Sequence, residues 1–309
     1  MRAFIAVTDN EWFRFLAAQP GIDEVNFWQP SGGRGFRVLQ AGEPLLFKLH
    51  SPESFIVGGG FFVRYTRLPH SIAWDVFGIK NGTATLEEMR RRIERYRRIG
   101  PSNEDYEIGC IVLAQPFFFD RDDWFPPPAD FSPNVQTGKS YDLTSEPHGT
   151  QLWEDVALRT MARNLDIDME IVESAPMIFG EPILVRPRLG QGSFRVLVTE
   201  TYERRCAVTG EKVLPVLEAA HIRPVVAGGI HRIDNGLLLR SDLHTLFDKG
   251  YVTVTRDHRL RVSRHLRDDF QNGAYYYSLD GSEMWLPKRP DDQPDRETLE
   301  WHEDTVFRG

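Results

Sequence analysis

The stretch from Leu217 to Gly250, LEAAHIRPVVAGGIHRIDNGLLLRSDLHTLFDKG, constrains the fold more than any other part of this 309-residue chain. An apolar run of strand character, Val213–Ala220, leads into it. A loop with Gly228 and Gly229 follows, then an Asn235-Gly236 turn signal, then a helical pattern around Ser241–Asp248. The expected order is strand, loop, helix. Polar residues punctuate it: His221 closes the strand, Asn235 lies fourteen residues later, and His244 nine residues after that. Asp248 follows His244 by four residues, which places both on one helical face.

Those residue types suit phosphodiester hydrolysis. The reaction needs an activated water, a metal to stabilise charge on the leaving oxygen, and rigid placement of both. A histidine takes a proton from water near neutral pH. A second histidine with a carboxylate one turn away makes a divalent-metal clamp. An asparagine side chain bridges loop backbone by donating and accepting at once. Each residue also has a plainer reading: a polar strand end, a common turn, an ion pair along a helix face.

The segment resembles the HNH, or ββα-metal, nuclease family, over roughly Arg186–His265. The resemblance is most specific in Ala220-His221-Ile222, Asn235-Gly236-Leu237 and His244-x-x-Phe247-Asp248. It implies His221 as general base, Asn235 as the structural asparagine and His244 as a metal ligand, with Mg²⁺ or Mn²⁺ as the cofactor. Many family members carry an Asp or His ligand immediately before the base, where this chain has Ala220. Glu218 and Asp248 are the candidate replacements. His231 and His258 match no motif position and read as surface or loop residues. Cys206 reads as a packed thiol or the relic of a zinc-binding knuckle.

The remaining chain is long enough for a second core. Pro44–His50, Phe55–Tyr65 and Glu107–Ala114 are short, apolar or alternating, and bounded by Gly or Pro, which is strand punctuation. Thr85 precedes LEEMRRRIERYRR, with acids first and arginines last, as a helix N-cap and dipole require. Leu86, Met89, Ile93 and Tyr96 would form its buried stripe. Trp124–Tyr141 is turn-rich, Gln151–Arg163 reads as a helix, and Asn164–Leu189 as a connector. Ser193 is placed to cap a helix running to Arg205, Cys206–Gly210 to turn, and Tyr251–Val262 to form a hairpin about Arg256–His258. The fold class is α+β: a unit at residues 1–150, a helical connector at 151–185, and a nuclease unit at 186–309.

In the first unit, a Gly-Glu-Pro turn leads into Leu45-Leu46-Phe47-Lys48, and a glycine-rich strand follows. This pattern is similar to the PUA superfamily, most of all its EVE and ASCH members, small β-barrels with flanking helices. The resemblance implies a pocket for a base flipped from the duplex, stacked on aromatic walls. Phe27, Trp28, Phe47, Trp74 and Phe77 are the aromatic candidates, and Asn26, Gln29 and Lys48 the candidates for polar edges. Aromatics in a small barrel also form its core. Arg90, Arg91, Arg92, Arg95, Arg97 and Arg98 read as phosphate contacts or as a solvated face balanced by Glu87, Glu88 and Glu94.

The net charge of −8 argues against a nucleic-acid partner, but its distribution argues for one. From Arg186 to Phe270, Lys and Arg outnumber Asp and Glu by fifteen to ten, so the acidity lies elsewhere. Two cysteines cannot build a four-thiolate zinc site, and the first residues do not read as a signal peptide. A cytoplasmic protein without membrane spans is expected. Joined, the two resemblances imply a modification-dependent restriction endonuclease, with double-stranded DNA carrying modified cytosine as substrate. Homodimerisation would supply the two cuts of a double-strand break. The rival readings are a nuclease for RNA or structured DNA, and a nucleic-acid-binding protein without catalysis.

Overall fold

The computed structural model of the chain describes residues 1–32, 35–162, 169–170 and 186–309. It divides into two compact units, Met1–Ser193 and Phe194–Gly309. Most of the expected connector at 151–185 lies outside the described residues.

The first unit is built on six strands: β1 (Arg2–Thr8), β2 (Glu24–Gln29), β3 (Pro44–Leu49), β4 (Ile56–Pro69), β5 (Glu107–Phe118) and β6 (Gly138–Asp142). Their order is β2-β5-β4-β3-β1-β6, with β1 and β3 parallel and every other pair antiparallel. The continuous apolar run of β3 reflects burial on both faces. Leu45, Phe47 and Leu49 face one cluster with Trp12, Val25 and Leu113. Leu46 faces another with Ile5, Phe117 and Tyr141. The expected closed barrel is not what the pairing gives. Among the described residues, β2 bonds only to β5 and β6 only to β1, so the order has two ends.

Among the described residues, four helices accompany this sheet: α1 (Asn10–Ala17), α2 (His70–Phe77), α3 (Leu86–Arg97) and α4 (Pro147–Ala162). Thr85 caps α3 by accepting from the Glu88 N–H, as its sequence predicts. The buried stripe differs. Met89 and Ile93 are in the core, but Tyr96 is 43% exposed. Arg92 and Glu94 are buried in its stead. The Arg92 head is paired with Glu88, 2.6 Å away, and that of Glu94 accepts from the Ser102 N–H.

Two short strands, β7 (Met169–Glu170) and β8 (Arg186–Pro187), pair antiparallel. The unit boundary falls inside α5 (Gln191–Thr201). Ser193 therefore lies within this helix and does not cap it. It is fully buried, and its N–H and hydroxyl both donate to Glu24.

The second unit contains β9 (Leu217–His221), β10 (Gly236–Arg240), α6 (Ser241–Asp248), β11 (Val252–Val254), β12 (Leu260–Val262), α7 (His265–Phe270), α8 (Ala274–Tyr277) and α9 (Arg296–Thr305). The expected strand, loop, helix order lacked one strand. Gly236–Arg240 is β10, paired antiparallel with β9. The β11–β12 hairpin forms as its pattern predicts. Leu217, Leu237, Leu239, Leu243, Phe247 and Leu299 share one core. Gly250, in the left-handed conformation with φ 74°, ends α6. Among the described residues, no helix is long and apolar enough to cross a membrane.

His302 fastens α9 to the end of α6. Its ring stacks on Phe247 with centroids 3.7 Å apart, and it hydrogen-bonds the Thr253 hydroxyl and the Phe247 carbonyl. Burial pushes its pKa down to about 4. The unfolded chain therefore takes up this proton below about pH 6.5, whereas the folded chain does so only near pH 4. Stability present above pH 6.5 is lost as the pH falls, by on the order of 3 kcal/mol at most. Thermal melts should show Tm falling between pH 6.5 and pH 4, and falling less in His302→Gln. Equal slopes in the two proteins would contradict the assignment.

Candidate active site

The antiparallel register sets Gly236 opposite His221 and Leu239 opposite Glu218. Gly236 is needed there for space. A Cβ would lie 2.6 Å from Val198 Cγ2 and 3.0 Å from the Phe194 ring. Its absence lets α5 approach, and the Phe194 ring stacks on His221 at 3.9 Å with planes 10° apart.

Helix α6 starts directly after β10. Leu243 and Phe247 are buried, which sets His244 and Asp248 on the adjoining face. His244 Nδ1 is 2.6 Å from Glu218 Oε2, and His244 Nε2 is 3.3 Å from Asp248 Oδ2. The three residues expected to bind metal thus meet around one imidazole. Burial raises the pKa of the Asp248 carboxyl, as does the nearby Glu218 charge, while His244 lowers it. The two carboxylates contact opposite ring nitrogens, so the donors one divalent cation could share are His244 Nε2 and Asp248, whose carboxylate oxygen is a ligand type that suits Mg²⁺ or Mn²⁺. Among the described residues, no three His, Cys, Asp or Glu side chains already surround one cation-sized point. Ala220 is fully buried in the core.

His221 is half-buried, and its Nε2 lies 3.0 Å from His231 Nδ1. Burial, then electrostatic repulsion by His231 and His244, push its pKa down to about 4. It is therefore neutral at physiological pH. His231, read from sequence as a surface or loop residue, does lie in the loop, and there it is a direct partner of the candidate base. The signal was its return ten residues after His221, across a double-glycine turn. Phe194, which stacks on the base from α5, carries no motif signal.

Asn235 is only 6% exposed and ties the loop between these histidines. Its Oδ1 accepts from the Arg223 N–H, and its Nδ2 donates to the Arg223 and Ile230 carbonyls, each at 2.9 Å. Its own carbonyl accepts from the Ile222 N–H at 3.0 Å. Cys206 is fully buried, and its sulfur accepts from the Thr209 and Arg240 N–H groups.

The base-reading candidates of the first unit sit mostly in its interior. Phe47 has no exposed surface, and its ring lies between Phe27 and Phe118 with Trp12 at its edge. Phe77 is buried. Asn26 is fully buried and donates to Asn81 Oδ1. Lys48 is buried, its Nζ donating to the Leu49 carbonyl. These side chains present no open wall to a base, because the sheet packs them into its own core. Phe27, Trp28, Gln29 and Trp74 keep part of their surface, and Trp28 Nε1 donates to the Asn81 carbonyl.

On α3, Arg91 pairs with Glu87 at 2.5 Å, Arg92 with Glu88, and Arg95 with Asp9 and Glu11, both at 3.6 Å. Arg90 is 4.0 Å from Glu94, and Arg97 donates to the Pro30 and Glu107 carbonyls. Arg98 ends the helix in the left-handed conformation. Of the two readings, the balanced helix face describes this group better.

Residues 206–255 match the family model described as HNH endonuclease. No curated protein matches the chain. A single-residue variant of the ASCH protein from Zymomonas mobilis is 10% identical over 50% of this chain and 97% of its own, with a TM-score of 0.33. The ASCH protein of that organism covers 49% of this chain and 94% of its own, at 10% identity and a TM-score of 0.33. The modification-dependent TagI restriction endonuclease is 14% identical over 94% of this chain and 78% of its own, with a TM-score of 0.29. Likenesses this distant carry no argument about this chain. The family match does, because it spans the Cys206 turn, β9, β10, α6 and β11. Residues 206–255 are an HNH endonuclease domain.

Proposed function

We propose that this chain is a divalent-metal-dependent endonuclease that hydrolyses double-stranded DNA carrying modified bases. The observation that carries the nuclease reading is the neutral His221 at the end of β9, in the same HNH domain as a carboxylate-flanked His244. His221 takes a proton from water, the water oxygen forms its bond to phosphorus as the P–O3′ bond breaks, and the leaving 3′ oxygen takes a proton from solvent. The products are a 5′-phosphate and a 3′-hydroxyl. Glu218 accepts the Nδ1–H of His244, which fixes its tautomer and leaves the Nε2 lone pair, with Asp248, to hold the cation. When bound, Mg²⁺ or Mn²⁺ supplies charge stabilisation for the leaving oxygen. Asn235 keeps the loop after His221 in place. A homodimer would bring two such sites to the two strands.

Selectivity for a modified base, cytosine first, is the finer part of this reading. It rests on the resemblance of the first unit's Gly-Glu-Pro turn and glycine-rich strand to base-reading barrels. Phe27, Trp28 and Trp74 are the aromatic candidates with surface left to stack on a flipped base. The test is cleavage of one DNA in unmodified, cytosine-methylated, hydroxymethylated and adenine-methylated forms. One modified form should be cut at least about tenfold faster than the plain DNA, since edge hydrogen bonds discriminate by roughly 1–3 kcal/mol each. Equal rates on all four would remove the reader, and preferential cutting of an RNA of the same sequence would favour the RNA reading.

A further inference from the structure

We propose that His231 is a positioning residue that holds the His221 ring as its Nε2–H tautomer and leaves Nδ1 to take the proton from water. This rests on the reading of His221 as the general base. The two facing nitrogens, His221 Nε2 and His231 Nδ1, are 3.0 Å apart, so one of them carries the shared hydrogen. If His231 donated, it would occupy the His221 Nε2 lone pair, and the hydrogen on Nδ1 would leave the ring no site for a proton. If His221 donates, Nδ1 keeps its lone pair. When that lone pair receives the water's proton, His221 becomes imidazolium, and its existing bond to the neutral His231 Nδ1 becomes charge-assisted. No further proton need move.

The loop is built to make this contact. Gly229 N–H donates to the Pro224 carbonyl, and a Cβ on Gly229 would lie 1.9 Å from the Arg223 carbonyl oxygen. Only glycine lets the chain fold back so tightly. Asn235 then holds the carbonyl of Ile230, the residue before His231, and both backbone groups of Arg223, two residues after His221. Phe194 stacks on His221 and leans against His231 at 5.7 Å, limiting the swing of both rings. The contact is thus set by packing from one side and by hydrogen bonds from the other.

The test combines long-range ¹H–¹⁵N correlation spectra of the histidines, recorded without substrate or metal, with kinetics of the same proteins. In the wild type, His221 should be the Nε2–H tautomer. His231→Phe keeps a ring but removes the acceptor, so His221 should populate both tautomers and kcat should fall about tenfold to a hundredfold with KM little changed. His231→Asn restores an acceptor near the Nδ1 position and should recover most of both. An Nδ1–H tautomer in the wild type, or an unchanged tautomer and kcat in folded His231→Phe, would overturn the proposal. The spectra do not depend on cleavage. An Nε2–H tautomer in a protein that cuts no nucleic acid would sink the nuclease reading while supporting the contact, whereas an Nδ1–H tautomer in an active nuclease would sink the positioning role alone.

Discussion

His221→Ala is expected to lower metal-dependent cleavage by about a thousandfold or more, within the range lost when a positioned general base is removed. The fold should survive, because the ring is half-buried at a strand end and its loss exposes the Phe194 face without stranding a buried charge. Matching circular dichroism spectra and a Tm within a few degrees of the wild type would establish that. The low pKa works in two directions. It keeps His221 unprotonated, so cleavage should not drop off at the ordinary histidine value near pH 6.5. It also makes the ring a weaker base. A folded His221→Ala protein with full activity would remove this residue from the chemistry.

Asn235→Ala should have the second largest effect, on stability and activity together. The substitution leaves the Arg223 N–H and the carbonyls of Arg223 and Ile230 without their partner. Leaving buried polar groups unpaired costs about 1–3 kcal/mol each, and water reaching the half-buried Arg223 offsets part of it. A net loss of about 2–3 kcal/mol is expected, read as a drop in denaturation midpoint without a change in slope. Asn235→Asp should be no better, because a carboxylate cannot donate to either carbonyl. Cleavage should fall in both, since the loop that carries His231 loses its tie. An Asn235→Asp protein as stable as the wild type would show that these bonds do not hold the loop.

The local signals for this site were strong in the sequence, and the contacts between distant elements were not. An apolar strand, a double glycine, Asn-Gly and a histidine–aspartate pair one turn apart each follow from short-range rules. The loop and α6 formed where those rules put them, while only the later part of the expected Val213–Ala220 strand entered β9, Leu214–Val216 forming a 3-10 turn instead. Strand β10 was missed because Gly236–Arg240 is a short continuous apolar run, which has no period of its own. Phe194 was invisible because it approaches His221 through a space opened by a missing Cβ at Gly236. Glu218 stands three residues before His221 in one strand, and only the approach of α6 brings it to His244.

The first unit shows the limit more sharply. Alternation and glycine punctuation placed β3, β4 and β5, but they say nothing of which aromatic faces a pocket. Phe47 and Trp28 look alike as candidates, yet Phe47 fills the core and Trp28 keeps some surface. Tyr96 leaves the α3 stripe because its hydroxyl reaches Asp9, a contact 87 positions away in the chain. Pairing partners across such distances are set by the assembled sheet and helix, which no short window contains.

The most direct measurement of the central claim is nicking of supercoiled plasmid DNA by the wild-type protein, with Mg²⁺ or Mn²⁺ and with the metal chelated. The plasmid should carry cytosine-modified and unmodified sites. The account predicts metal-dependent open-circular product whose nicks a DNA ligase reseals without end repair, as 5′-phosphate and 3′-hydroxyl ends require, and none with His221→Ala. Undiminished nicking by folded His221→Ala, or cation binding by the wild type with no cleavage of any DNA form, would contradict it.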